Sequence, residues 1–460
     1  MNQFLKQFFN TTRGLLLAAS AALWLAPQAG WAQSLDLVGA YRQALQNDPT
    51  SLAAGHALEA GRELALQGDA LLKPRLNLQA GVSRIHEHLD SELPAPAASL
   101  LPSDSSGTAR QATLQLVQPL YQQGARATRR QLHEQSALAG TRFDAEREQL
   151  VLRVAEVYLG VVVAQESLRV EQAEHAAVLQ QRDRAQARFE VGHGKITEVH
   201  EAQARLDAVQ ARLLTAESML ELRQAQFRET VGSAPQQLAP MASGFVPGMP
   251  EPASLAAWQA RGEAANTLVR SQQSALAIAG AELDKNRLSA RPTVDLVASY
   301  GAKNQSGGLS ALVAPNGERN ASIGLQLNVP LYAGGGLDSR QREAVARRGE
   351  AEQQLAAARR DVRLKVQEGY LSVTTGVARV AALEQALVSA RSALQATSLG
   401  RDVGTRTALD VLDAEQRVAA AERELVQARA DYLLGRLRLA AAAGELSEET
   451  LRALGPWFAS

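Results

Sequence analysis

Residues 74–83 read Pro74-Arg75-Leu76-Asn77-Leu78-Gln79-Ala80-Gly81-Val82-Ser83, an alternation of apolar and polar side chains that opens on a proline. A period of two predicts a strand with Leu76, Leu78, Ala80 and Val82 on one face and small or polar residues on the other. Three further stretches repeat the pattern. Ala112, Leu114 and Leu116 alternate with Thr113, Gln115 and Val117. Val294, Leu296, Ala298 and Tyr300 alternate with Asp295, Val297, Ser299 and Gly301. Ile323, Leu325, Leu327 and Val329 alternate with Gly324, Gln326 and Asn328. Such strands suit lipid outside and a wet lumen inside, although a half-buried strand of a soluble sheet carries the same period.

The prolines favour the membrane reading. Pro74, Pro119, Pro292 and Pro330 each stand at the end of a strand that adjoins a predicted helix. Proline lacks the N–H a ladder needs and disfavours helix in the residue before it, so it suits a strand-to-helix junction. All four strands are therefore expected to switch to helix at one end, with loops after Ile85 and Lys303 at the other. Four strands cannot close a membrane barrel, which begins at about eight. Lipid also tolerates no open sheet edge, so several subunits must share one wall. A barrel of eight leaves little room beyond its own side chains, and a conduit favours three subunits over two.

The chain is written twice. Val154, Glu156, Tyr158 and Leu159 recur as Val366, Glu368, Tyr370 and Leu371; Val191-Gly192 recurs as Val403-Gly404, and Gly232 as Gly444. A separation of 212 positions holds throughout these pairs. A period this long marks a duplicated domain rather than a solenoid repeat. The expected organisation is a signal segment at 1–32, a first repeat at 33–232, a linker at 233–253, a second repeat at 254–444 and a tail at 445–460. Pro235, Pro240, Pro247, Pro250 and Pro252 mark the linker. Each repeat is expected to hold a first helix (roughly 35–71 and 255–288), a β-hairpin, a very long helix (about 125–189 and 338–399) and a return helix. Phe143, Leu150, Val157 and Ala164 recur every seven residues, as do Leu355, Val362, Gly369 and Gly376, the spacing of a coiled-coil seam.

Lys6 and Arg13, the apolar run from Gly14 to Leu25, and the small residues around Gly30-Trp31-Ala32 read as a secretory signal, with Gln33 expected to begin the mature chain. The chain has no cysteine, which excludes disulfides, thiolate metal sites and a cysteine nucleophile. Its 48 basic and 48 acidic residues cancel, giving no global case for nucleic acid. The apolar stretch Val151 to Ala164 is interrupted by Arg153 and Glu156, so membrane entry is expected through strands.

The two turns after the long helices carry the sharpest local signal: Val191-Gly192-His193-Gly194-Lys195-Ile196-Thr197-Glu198-Val199 and Val403-Gly404-Thr405-Arg406-Thr407-Ala408-Leu409-Asp410-Val411-Leu412-Asp413-Ala414. The second string resembles the TolC family of outer-membrane efflux and secretion channels, and the likeness covers the mature chain with its duplication, strands and both turns. The resemblance implies a mainly α protein with a membrane β-barrel. In it a homotrimer forms a twelve-stranded barrel continued by an α-helical periplasmic tunnel with a closable end. It implies that Asp410 and Asp413 ring the periplasmic constriction, and that Arg406, Thr197, Glu198 and Arg401 belong to the network that closes the entrance. Arg401 stands where a well-known member has tyrosine, and Glu198 where it has aspartate. The turns at Val191, Gly192, Val403 and Gly404 are the implied docking surface for a periplasmic adaptor (membrane fusion) protein, which serves an inner-membrane ABC transporter. Within the family the likeness leans towards protein-secretion members, such as the outer-membrane component of a cyclolysin-type toxin exporter. Exported protein cargo is thus expected, with small-molecule efflux as the alternative.

From the residues themselves, Asp410 and Asp413 share a helix face, and three copies would gather six carboxylates around one axis. Such a ring favours cations and raises some of its own pKa values by like-charge repulsion. Two acids near a helix start are also favourable to the helix dipole. Gly192-His193-Gly194-Lys195-Ile196-Thr197 lacks the spacing of a phosphate loop. His86-Glu87-His88 lacks further ligands, so no metal site and no cofactor are expected. No nucleophile–base arrangement stands out, so no enzymatic activity is expected and transport energy must come from a partner. A soluble periplasmic coiled-coil adaptor remains the reading from another class.

Overall fold

The computed structural model describes residues 35–88, 104–235, 238–242, 244–307 and 317–458. The expected signal segment and its cleavage site lie outside these residues. The elements run α1 (Leu37–Asn47), α2 (Pro49–Ala70), β1 (Arg75–His88), β2 (Asp104–Tyr121), α3 (Gln123–Glu190) and α4 (Ile196–Val231). The order then recurs as α5 (Leu255–Ala265), α6 (Thr267–Leu288), β3 (Thr293–Gly307), β4 (Gly317–Asn328), α7 (Gly336–Asp402) and α8 (Ala408–Ala443). A short α9 (Glu448–Arg452) and a 3₁₀ turn (Gly455–Trp457) close the described chain.

The four strands form one antiparallel sheet in chain order, β1-β2-β3-β4. Its register keeps like with like. Leu76 lies opposite Leu116, which lies opposite Ala298 and then Ile323. The next residue along gives Asn77, Gln115, Ser299 and Ser322, with the Ser299 and Ser322 hydroxyls 2.8 Å apart. A slip of one residue would mix the two sets, so pattern and pairing specify the same register. Leu78, Val82, Ile323, Leu325 and Leu327 remain exposed, and β1 and β4 are open edges. Pro119 sits just inside the end of β2, where the register with β3 shifts between Pro119 and Tyr121. A missing N–H is tolerated at such an irregularity.

Each expected first helix is two. Asp48 ends α1 and caps α2, accepting from Ser51 N at 2.8 Å, and Pro49 takes the first helical position. In the second repeat Asn266 does the same without a proline, accepting from Leu268 N at 2.9 Å. The long helices run unbroken for 68 and 67 residues, roughly 100 Å at 1.5 Å per residue. Beside the sheet, α3 packs on α2 and α6, and α7 on α6; towards the far end α3 packs on α4 and α8, and α7 on α8. Leu150, Val154, Val161, Val362, Val366, Val373 and Val380 are buried along these contacts, as the heptad spacing requires. Gly369 lies where an added Cβ would meet the Leu439 backbone at 3.0 Å, so the close α7–α8 approach leaves little room for a side chain there.

The aromatic core lies midway along the molecule. Buried Tyr158 meets Phe458 edge-on at 5.5 Å, and Tyr432 packs with Phe245 at 5.8 Å and Trp457 at 5.9 Å. Among the described residues no helix is long and apolar enough to cross a membrane.

Candidate functional site

The tips farthest from the sheet are two helical turns of matching build. Each reverses through a glycine with positive φ, Gly192 at 78° and Gly404 at 81°, a region other residues rarely adopt. Before each glycine stands an exposed valine, Val191 (67 %) and Val403 (69 %). Apolar side chains so open at the end of a long rod are surface without an intramolecular purpose. In the first tip His193 N donates to Arg188 O at 2.8 Å; in the second Thr405 N donates to Gly400 O, also at 2.8 Å.

The second tip starts its return helix with a reciprocal cap. Asp410 N donates to Thr407 Oγ1 at 3.1 Å, and Thr407 N donates to Asp410 Oδ2 at 2.8 Å. The bond from Thr407 N, the Thr407 hydroxyl at 2.9 Å and the nearby Arg406 charge hold the Asp410 carboxyl below its ordinary range. Within one chain Asp410 therefore serves the helix start. Asp413, one turn on, is exposed and has no hydrogen-bond partner among the described residues.

The four residues of the expected closing network separate into two groups. Arg401 is engaged inside the chain: its guanidinium donates to Gln181 Oε1 on α3 at 3.2 Å and to Asp402 Oδ1 at 2.8 Å. The Arg406, Thr197 and Glu198 side chains make no hydrogen bond or ion pair among the described residues, and the structure does not bring Arg406 onto Glu198 within a chain. The four prolines stand at the helix end of the sheet, far from the tips, at the strand–helix transitions.

A buried ionic cluster behind the tips escaped the sequence reading. Glu171 and Glu174 of α3, with side chains 6 % and 1 % exposed, meet Arg212 of α4 at 3.2 and 2.5 Å. Arg423 of α8 reaches Glu171 at 2.7 Å, and Arg205 comes within 3.7 Å of Glu174. Nearer the tips, Glu415 of α8 sits between Gln181 and Arg401; burial pushes its carboxyl up, against the Gln181 hydrogen bond and the Arg401 charge. The signal was present. Continuing the series Phe143, Leu150, Val157, Ala164 by seven lands on Glu171, then on buried Val178 and Ala185. An acid in a seam register needs a cation from a facing helix. Among the described residues no group of side chains could hold a metal ion.

Comparison with known proteins agrees with this architecture. The family described as "Outer membrane efflux protein" matches residues 40–233 and again 254–445. The chain is 33 % identical to the outer membrane protein TolC of Vibrio cholerae, covering 95 % of this chain and 96 % of that one. It is 31 % identical to the alkaline protease secretion protein AprF of Pseudomonas aeruginosa, covering 93 % and 88 %. Among solved structures, the outer membrane protein VceC of Vibrio cholerae superposes with a TM-score of 0.71 at 23 % identity, over 89 % of this chain and 96 % of that one. The Campylobacter jejuni CmeC outer membrane channel gives 0.75 at 15 %, over 91 % and 88 %. These two likenesses speak to the fold. A soluble adaptor is thereby set aside: the chain belongs to the outer membrane efflux protein family, whose members are bacterial outer-membrane channels that extend into the periplasm.

Proposed function

We propose that this protein is the passive outer-membrane duct of a tripartite export system and conducts protein cargo in type I secretion. Three copies join β4 of one to β1 of the next, closing twelve strands around a lumen, while the helices continue the passage through the periplasm. The observation that carries this reading is the four-stranded sheet with two open edges and, on one face, apolar cross-strand rows such as Leu76, Leu116, Ala298 and Ile323. In lipid, unpaired edges are costly enough that neighbouring copies must satisfy them.

The tips are the regulated end. Asp410 and Asp413 from three copies form an acidic ring, and Arg406 pairs with an acid of an adjacent helix, Glu198 first, with Thr197 and Arg401 in the same closing network. The Val191-Gly192 and Val403-Gly404 turns dock the periplasmic adaptor, which links the duct to an inner-membrane ABC transporter. The similarity to AprF, and to the proteases secretion protein PrtF of Dickeya chrysanthemi at 28 % identity, supports protein cargo. The family's description as efflux proteins favours small-molecule export as the second reading.

Fractionation with unboiled electrophoresis tests the duct. An outer-membrane oligomer of three chains that resists detergent until heated, and that forms channels in planar bilayers, is expected. A water-soluble monomer that needs no detergent would end the proposal. Loss of one secreted protein on deletion of the gene, with unchanged drug sensitivity, would separate protein export from efflux.

A further inference from the structure

The outward face of the sheet does not stay apolar to its loop end. The register places Ala80, Ala112, Ala302 and Arg319 in one cross-strand row, Val82, Arg110, Asn304 and Gly317 in the next, and Arg84, Thr108 and Ser306 in the third. All three rows share the face of Leu76, Leu78 and Ile323, because successive rows on one face are two residues apart. Tyr300 stands one row below, with Leu78 and Leu114, at the outer limit of the apolar band. Arg84, Arg110 and Arg319 are all exposed, and none makes an ion pair or hydrogen bond among the described residues. No carboxylate lies in these three rows on this face. On the opposite face at the same height Lys303 lies directly across from Glu318, so there the charges balance. The excess charge is confined to the outward side.

We propose that Arg84, Arg110 and Arg319 form a docking surface for the phosphate groups of the glycolipid in the outer leaflet of the outer membrane. This rests on the barrel reading, in which the apolar face meets lipid and the loop end faces the exterior. An arginine beyond the last apolar row lays its stem along the acyl boundary and puts its guanidinium among the headgroups. The planar fork then binds phosphate through paired hydrogen bonds, which a lysine does less well. A tyrosine just beneath marks the interface at which this happens. Charge complementarity selects the occupant: three unbalanced cations fit an anionic phosphate layer and disfavour an uncharged sugar surface.

Binding of a fluorescent bisphosphorylated lipid A to the detergent-solubilised full-length oligomer tests this, against the same lipid stripped of its phosphates and against phosphatidylglycerol. With each cation at such a surface worth about fivefold, the triple variant R84Q/R110Q/R319Q should bind lipid A about a hundredfold more weakly. The triple lysine variant, which keeps the charge, should retain most of the binding. Unchanged affinity in the glutamine variant, or equal binding of the dephosphorylated lipid, would overturn the proposal. Phosphatidylglycerol bound as tightly as lipid A would overturn the assignment to the glycolipid. Both variants should run as heat-dissociable oligomers and conduct in planar bilayers. Failure of the unaltered protein to do so would count against the barrel reading, whatever the lipid result.

Discussion

The Tyr158 hydroxyl donates to the carbonyl of Leu35 at 3.1 Å, fixing the residue two places before α1 against the middle of α3. The duplicate does the same: Tyr370 donates to Ala253 at 3.0 Å, two places before α5. Tyr158 is fully buried and its phenol is pushed up to about 12, first by burial. Removing a buried hydroxyl leaves its acceptor unpaired, at about 1–2 kcal/mol. Tyr158→Phe should therefore lower the melting temperature in micelles, and Tyr370→Phe, at a more exposed site, should lower it less. Circular dichroism melts check the order; equal losses would contradict it.

Acid should firm the tunnel before it harms it. Glu415 and Glu148 are both held above the ordinary glutamate value, chiefly by burial, and Glu148 accepts from Thr267 at 2.9 Å. A folded state with raised carboxyls binds protons that the unfolded chain has already released. Their contribution is full below the ordinary glutamate value of 4.5 and is lost as pH rises through their folded values. Asp48 and Asp410, held low, act oppositely and only below their ordinary 3.8. Lowering the pH from about 7.5 to about 5 should raise the melting temperature, and Glu415→Gln should flatten part of that rise. A slope unaltered in Glu415→Gln would remove this carboxyl from the account.

Arg401 and Arg406 should be separable. Arg401→Ser breaks the link to Gln181 and removes one of the two cations near Glu415, Arg184 being the other, so it should lower stability as well as loosen the tip. Among the described residues the Arg406 side chain makes no hydrogen bond or ion pair, so Arg406→Ser should raise single-channel conductance while the melting temperature stays put. Paired bilayer recordings and melts decide. An Arg406→Ser channel with unaltered conductance would argue against its closing role.

The two tip aspartates also divide the labour. Asp410→Asn weakens the reciprocal cap with Thr407 and should lower the melting temperature slightly, through the start of α8. Among the described residues the Asp413 side chain makes no hydrogen bond or ion pair, so Asp413→Asn should leave stability unchanged. Block of the channel by multivalent cations should weaken in both and fall furthest in the double variant. Block that persists in the double variant would discard the acidic ring.

The strands and the long helices were legible because each rests on a local period: two along Leu76, Leu78, Ala80 and Val82, seven along Leu150, Val157 and Ala164. The same alternation set which residues share a face, whereas the register that carries Leu76 across to Ile323 was not legible, because a slip of two residues would keep the alternation. The broken first helices were half legible. Asp48-Pro49 is a cap followed by a helix-starting proline, whereas Asn266-Thr267 offers only the cap, and helix-favouring neighbours hid both. The Glu171 cluster was obscured because its cations come from α4 and α8, helices whose facing no local pattern fixes. At the tips, Thr407 and Asp410 stand three apart as a cap requires, yet the same aspartate fits a ring around an axis, and both uses coexist.

One pairing in the sheet sets a timetable. Gln111 of β2 lies against Lys303 of β3, so the two hairpins are stitched together across the whole intervening half of the polypeptide. A lone two-stranded hairpin is marginal at best. The first must therefore wait, unfinished, until translation and export have delivered the second. Insertion before that moment would strand a fragment with nothing beside it. The molecule is built to arrive late in its bilayer, and whole.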